Sequence, residues 1–329
     1  MSFFAVLFAL LIEQLKPLPA RNLVHDALSG WVRWVGRNFD AGQPHHAWVV
    51  WIITVLGPAA LVAIVYRAIY HYSSVLALGW DILALYLTLG FRQFSHHFTA
   101  IRDALERADE REARSLLAHW RHFDTSDLPR SELLRHVIEQ SLVAAHRFVF
   151  GGFFWFVVLS TAGLGPAGAV LYRMAEFASR YWAYRSHVTG KPTNEGLMQL
   201  SSRLFERIDH IPARLTAFGF AVVGNFEDAI ESWRRCAGLW THQNEGVLLA
   251  SAAGAVGVQL GGQAAPDLQS DRSRTFDSGD RADTTASAGS TSGVVPQPAH
   301  LRNIVALIWR SMVLWMLLLA LLSLANLAG

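Results

Sequence analysis

The chain has 329 residues, of which 52% are hydrophobic and 16% charged, with a formal net charge of +2. A charged fraction well below the roughly 25% of soluble domains excludes a wholly water-facing protein, and the near-balance of charge argues against a nucleic-acid binder. The single cysteine, Cys236, excludes an internal disulfide and any multi-cysteine metal or iron–sulfur centre.

Phe3–Ile12 is a short apolar run with no basic flank before it, and Glu13-Gln14-Leu15-Lys16 stands where a leader would carry small residues. It reads as a retained first membrane helix, short for a full crossing. Ala47–Tyr66 runs about twenty residues without a charge. At about 1.5 Å per residue that spans a hydrocarbon layer roughly 30 Å thick. Gly57-Pro58 predicts a kink there, its backbone satisfied by neighbouring helices. Ser74–Phe91 is a third apolar stretch. It carries Asp81, a charge expected to face the bundle interior in a functional role or in a structural pairing such as one with Arg310.

Gln93–Arg147 is polar. Within it Ile101, Leu105, Ala108, Ala113, Leu116, Leu117 and Trp120 recur at helical spacing, with Glu and Arg opposite. Asp124-Thr125-Ser126-Asp127 then predicts the cap of a helix over Leu128–Ala145, with Pro129 in its opening turn. Phe148–Leu171 is a fourth span, interrupted by Gly163 and Gly165-Pro166. Tyr172–Trp240 is helical and mixed in polarity, with a proline break at Ile211-Pro212. Thr216–Val223 and the small-residue stretch Val247–Leu260 read as re-entrant or buried pieces. Gly261–His300, rich in Gly, Ser, Asp and Thr, reads as a disordered tether. Ile304–Ala328, with Arg310 its one charge, is the final span.

The expected fold is an all-α integral membrane protein, a helical bundle of about four to five transmembrane helices with amphipathic and re-entrant helices between them. Its divisions are 1–91 (N-terminal membrane helices), 92–147 (polar helical hairpin), 148–260 (membrane helix plus Arg-rich helical region), 261–300 (linker) and 301–329 (C-terminal anchor). Arginine-rich stretches on both sides of the fourth span leave the orientation open. Several of the twelve tryptophans lie near segment ends, where indoles favour the membrane interface.

No GxxxxGK[ST], HExxH or GxSxG element is present. The fourteen histidines include His45-His46, His96-His97 and the His119/His122 pair. None has a fixed ligand spacing, so they read as solvated or interfacial and no metal site is assigned. The densest cluster is Gly163–Arg185 followed by Glu206–Phe218, where Arg173, Arg180, Arg185 and Arg214 meet Glu206 and Asp209. Guanidinium forks take phosphate or carboxylate at two points, which suits an anionic ligand at the membrane face. The competing reading is an interfacial helix whose arginines reach lipid phosphates.

GPAGAVLYR (Gly165–Arg173), IDHIPARLTAF (Ile208–Phe218) and NEGVLLASAAGAVGVQLGG (Asn244–Gly262) resemble blocks of the CobD/CbiB family. FDTSDL (Phe123–Leu128) and Glu139 with Phe154-Trp155 resemble two more, in the same order. The resemblance implies a multi-pass protein of the bacterial inner membrane that takes part in cobalamin synthesis by amide ligation of aminopropanol or its phosphate to adenosylcobyric acid. It implies catalytic Arg173, Asp209, Arg214 and Glu139, and ligand contacts from Tyr172, Arg185, Asp124 and Asn244. Such a ligase would use ATP and magnesium; no other cofactor is expected. The implied partners are the lipid bilayer, a corrinoid or other anionic ligand, and other membrane proteins.

The chain also departs from the family pattern. MAEFASRYWAYR replaces an NTLDSMVGY-like stretch, EQLKPLP replaces a DxxxGDP-like element, and Val143, Ala144 and Arg147 stand where Glu, Asn and Asp are expected. Those acids and amides would hold a metal or orient a nucleophile, so the resemblance implies the scaffold more firmly than turnover. Glu176, Glu195 and Asp209 are the nearby substitutes. LLIEQL, HRFVFGGFFW and SRYWAYR are similar to AmpE, a related membrane protein tied to β-lactamase induction and cell-wall recycling. That likeness gives a non-catalytic regulatory alternative.

Overall fold

The computed structural model describes residues 2–16, 23–40, 44–89, 91–121, 128–187, 195–262 and 290–328. Among them the protein is all-α, with isolated β-bridges and no strand. The helices are α1 (Ser2–Leu15), α2 (Leu23–Phe39), α3 (Pro44–Tyr72), α4 (Ser74–Thr88), α5 (Phe91–Glu106), α6 (Glu110–Arg121), α7 (Arg130–Ala145), α8 (Gly151–Thr161), α9 (Ala167–His187), α10 (Glu195–Val223), α11 (Phe226–Cys236), α12 (Gln243–Val256) and α13 (Pro298–Ala328). A π-turn, His146–Phe150, joins α7 to α8.

Three helical runs, His45–Tyr72, Arg130–Thr161 and Pro298–Ala325, are long and apolar enough to cross a membrane, and α1 and α4 are shorter apolar helices. Large apolar side chains are exposed on the first and last runs, among them Ile52, Leu61 and Ile64 on α3 and Val313, Leu317 and Leu324 on α13. Such faces need hydrocarbon, not water, around them.

The chain divides into two compact units. The first comprises Met1–Ala100, Val143–Thr216 and Arg310–Gly329. One of its cores joins α2, α3, α9 and α10 through Val35, Trp51, Val55, Tyr172, Phe177 and Phe205. Another joins α1, α4, α8, α9 and α13 through Val6, Leu85, Phe156, Ala169 and Leu319. Asp81 is buried within α4, whereas Arg310 is exposed on α13, so the expected pairing between them is not formed.

Both interior prolines of this unit are accommodated by a tryptophan. Pro58 has no N–H for the Thr54 carbonyl four residues back, and that oxygen accepts instead from the Trp31 indole at 3.3 Å. Pro212 likewise releases the Ile208 carbonyl, which accepts from the Trp155 indole at 3.1 Å. The break expected at Ile211-Pro212 is therefore absent: α10 runs unbroken from Glu195 to Val223. A break does occur after Thr161. Gly163 and Gly165 take positive φ, and a Cβ on Gly165 would sit 2.4 Å from the Tyr66 ring. Pro166 then precedes the first turn of α9. The fourth apolar stretch is thus split, and its first half continues backwards through the π-turn into α7.

The second unit comprises Ile101–Leu142 and Ala217–Trp309. The periodic stretch around Ala100–Trp120 is two helices, because Ala108 turns to positive φ and the Asp109 side chain caps α6 by accepting from the Glu112 N–H at 2.9 Å. Helix α12 is almost wholly buried. A Cβ on Gly246 would lie 2.0 Å from the Ala237 carbonyl oxygen and one on Gly254 2.2 Å from that of Asp228, so glycine is what lets α11 and α12 meet. Of the stretch expected as a tether, 263–289 lies outside the described residues. Its flanks pair: Gln259 N–H donates to Val294 O at 2.9 Å, Thr291 N–H to Leu260 O at 2.8 Å and Val294 N–H to Gly257 O at 3.0 Å.

Candidate functional site

The chemistry-bearing residues of the first unit gather where the π-turn, α9 and α10 pack. In the π-turn the Gly151 N–H donates to the His146 carbonyl, five residues back, which inserts one more residue than an α-turn holds. His146, 3% exposed, points inward. Its Nε2 lies 2.8 Å from Asp209 Oδ1 and its Nδ1 3.0 Å from Thr216 Oγ1. The Tyr172 hydroxyl donates to the same Asp209 oxygen at 2.7 Å. Tyr172 fits because position 151 is glycine; a Cβ there would lie 2.1 Å from the Tyr172 ring.

Beside this buried group lies a charged face. Glu176, 2% exposed, meets Arg173 Nη1 at 3.2 Å and Arg180 Nε at 3.5 Å. The Arg173 guanidinium rests on the Phe148 ring at 4.3 Å, and that of Arg147 on Phe205 at 5.7 Å. The Arg180 side chain is 50% exposed and forms the outer rim. Burial would push the Glu176 carboxyl up, but Arg180, Arg173 and Arg147 hold it below the ordinary carboxylate value. Burial acts the same way on Asp209, and the nearby His146, the hydrogen bonds from His146 and Tyr172, and Arg147 outweigh it. The Tyr172 hydroxyl is raised well above its usual value by burial and by the Asp209 charge. The arrangement is a buried, ionised carboxylate anchor next to a guanidinium face.

A family model described as CobD/Cbib protein matches residues 4–291. The chain belongs to the CobD/CbiB family. This CobD/CbiB chain is 30% identical over 323 residues to "Cobalamin biosynthesis protein CobD" of Stutzerimonas stutzeri, covering 96% of each chain. It is 34% identical over 183 residues to the protein of the same name from Chromobacterium violaceum, covering 55% of this chain and 54% of that one. A Leptospira interrogans protein of that name is 25% identical over 190 residues, covering 55% of this chain and 56% of that one. No solved structure matches.

Of the eight residues singled out from sequence, Arg173, Asp209 and Tyr172 lie in this cluster. Arg214 is half-buried on α10; its Nη1 donates to the His210 carbonyl of its own helix at 3.0 Å. Arg185 is on α9, but its side chain is outside the described residues, as is all of Asp124. Glu139 and Asn244 belong to the second unit. Glu139 accepts the Gly261 N–H at 2.9 Å and lies 3.6 Å from Arg135, which itself donates to the Gly261 carbonyl at 2.9 Å and pairs with Glu132. Its carboxylate is thus a brace for the Leu260-Gly261-Gly262 backbone. Asn244 is buried in the first turn of α12. Glu195, a named substitute acid, is exposed and accepts from Gln199.

From sequence, His146 is assigned no role, and Arg147 is taken as a departure from the family's acid and as part of the AmpE-like HRFVFGGFFW stretch. The signal was available: a His-Arg pair at the junction of an amphipathic helix and an uncharged run, where each polar group needs a partner.

Proposed function

We propose that this protein works in cobamide assembly at the bacterial inner membrane, ligating the amine of aminopropanol or its phosphate to a carboxylate of adenosylcobyric acid at the guanidinium face of α9. The relatives named for cobalamin biosynthesis support the pathway. The pairing of Arg173 and Arg180 with Glu176, with Arg147 close to both Glu176 and Asp209, carries the site. Three guanidinium groups beside two carboxylates give a face of net positive charge that suits an anion.

Amide formation from a carboxylate needs an activated acyl group, for which ATP would supply the phosphoryl leaving group. Guanidinium donors near the reacting carbonyl stabilise the negative charge that develops as the amine attacks. Asp209 keeps Tyr172 and His146 in place rather than reaching solvent. The carboxylates here are already engaged by arginine, histidine and tyrosine, a set that suits an anion and not a divalent cation, so no step is routed through magnesium.

The test is amide product from adenosylcobyric acid, aminopropanol or its phosphate, ATP and magnesium, with the full chain in detergent. Product that disappears in Arg173→Ala and Arg180→Ala supports the reading. A folded protein that binds no corrinoid refutes it and favours the AmpE-like regulatory alternative.

A further inference from the structure

Four of six consecutive residues around the π-turn reach one cluster. His146 bonds Asp209 and Thr216, Arg147 covers Phe205, Phe148 carries Arg173, and Gly151 makes room for Tyr172. An α-helix advances about 100° per residue, so residues 146, 147 and 148 would fan across more than half its circumference. The wider turn, closed by the five-residue bond from Gly151 to His146, narrows that fan, and His146, Arg147 and Phe148 all meet side chains of α9 or α10. An inserted residue of this kind persists only where something holds it, because the ordinary α-turn is the better-bonded alternative. Here the restraint is visible: both imidazole nitrogens are engaged by α10, one through a carboxylate that also accepts from Tyr172 of α9.

We infer that His146 is the positioning residue of the anion site. Its bonds to Asp209 and Thr216 hold the π-turn open and so aim Arg147 and the Arg173-bearing Phe148 at the ligand. His146 touches no ligand itself, being 3% exposed. The inference rests on the guanidinium face being an anion site, and the experiment separates the two.

Inorganic pyrophosphate is titrated into the full chain in detergent. Arg173→Ala should weaken binding at least about tenfold; if it does not, the anion site and this inference fall together. His146→Leu, which keeps bulk and removes both bonds, should weaken binding to a similar degree. Its effect should shrink in an Arg147→Ala background, because part of it runs through that guanidinium. Thr216→Val removes the Nδ1 partner, along with the Thr216 hydroxyl's bond to the Pro212 carbonyl, leaves the Asp209 bond in place, and should weaken binding by about two- to threefold in a chain that still folds. If Arg173→Ala weakens binding while His146→Leu and Thr216→Val leave it within error of the unaltered chain, the anion site stands and the positioning role is overturned. Additivity of His146→Leu with Arg147→Ala overturns it as well.

Discussion

Gly151→Ala tests the packing that the site depends on. The added Cβ would lie 2.1 Å from Tyr172 Cζ, 2.3 Å from its hydroxyl oxygen and 2.5 Å from Cε1. Carbon atoms in contact prefer about 3.5–4.0 Å, so the ring must retreat by more than about 1 Å. Tyr172 is 1% exposed and sits in the core shared by α2, α3, α9 and α10. A shift of that size also breaks the 2.7 Å bond to Asp209. Overpacking costs about 1–3 kcal/mol. Losing a hydrogen bond to a charged acceptor adds about 1.5–3 kcal/mol. The expected destabilisation is therefore roughly 2.5–6 kcal/mol, read by chemical unfolding in detergent, with pyrophosphate affinity lost in parallel. Tyr172→Phe alone should cost only the hydrogen-bond share. A Gly151→Ala protein within about 0.5 kcal/mol of the unaltered chain would refute the close approach and with it the account of why Tyr172 reaches Asp209.

Trp155→Phe removes the indole donor to the Ile208 carbonyl and should cost about 1–3 kcal/mol in chemical unfolding; adding Pro212→Ala, which returns a helix N–H to that oxygen, should recover most of it. Glu176 and Asp209 have folded values below the ordinary 4.5 and 3.8, so the stability they contribute is present above those values and lost as pH falls through the folded ones. Thermal midpoints in detergent should accordingly drop below about pH 4, and less steeply in Glu176→Gln. Glu139→Ala takes the acceptor from the Gly261 N–H, while Arg135 keeps Glu132 and the Gly261 carbonyl, and should destabilise by about 1–3 kcal/mol in chemical unfolding; Glu132→Ala, which leaves that N–H its acceptor, should cost less. Equal effects of the two would count against the brace.

The membrane character and the helical class were readable because uncharged runs such as Ala47–Tyr66 admit one solvent and one hydrogen-bonding solution. Arg173, Tyr172 and Asp209 were readable because guanidinium and carboxylate groups crowd a stretch that also matches a family block. The π-turn was not, since a wide turn differs from an α-turn by one inserted residue and leaves the apolar pattern intact. The proline at 212 was misjudged for a related reason. Whether an interior proline ends a helix depends on a donor for the carbonyl four residues back, and that donor, Trp155, is more than fifty positions away in the chain. Two tryptophans, Trp31 and Trp155, serve as such donors. The bond from the Gly261 N–H to Glu139 was not readable either, since a block fixes order in the chain and not which backbone a carboxylate will meet.

The pairing of residues 257–262 with 290–294 has a practical outcome. With Leu260 N–H donating to the Thr291 hydroxyl at 2.8 Å and the Gln259 amide to Ser290 at 2.7 Å, both ends of the intervening segment are fastened at one spot. Severing the polypeptide between 263 and 289 should therefore leave residues 257–260 held to 290–294 by these bonds, so that the two pieces copurify.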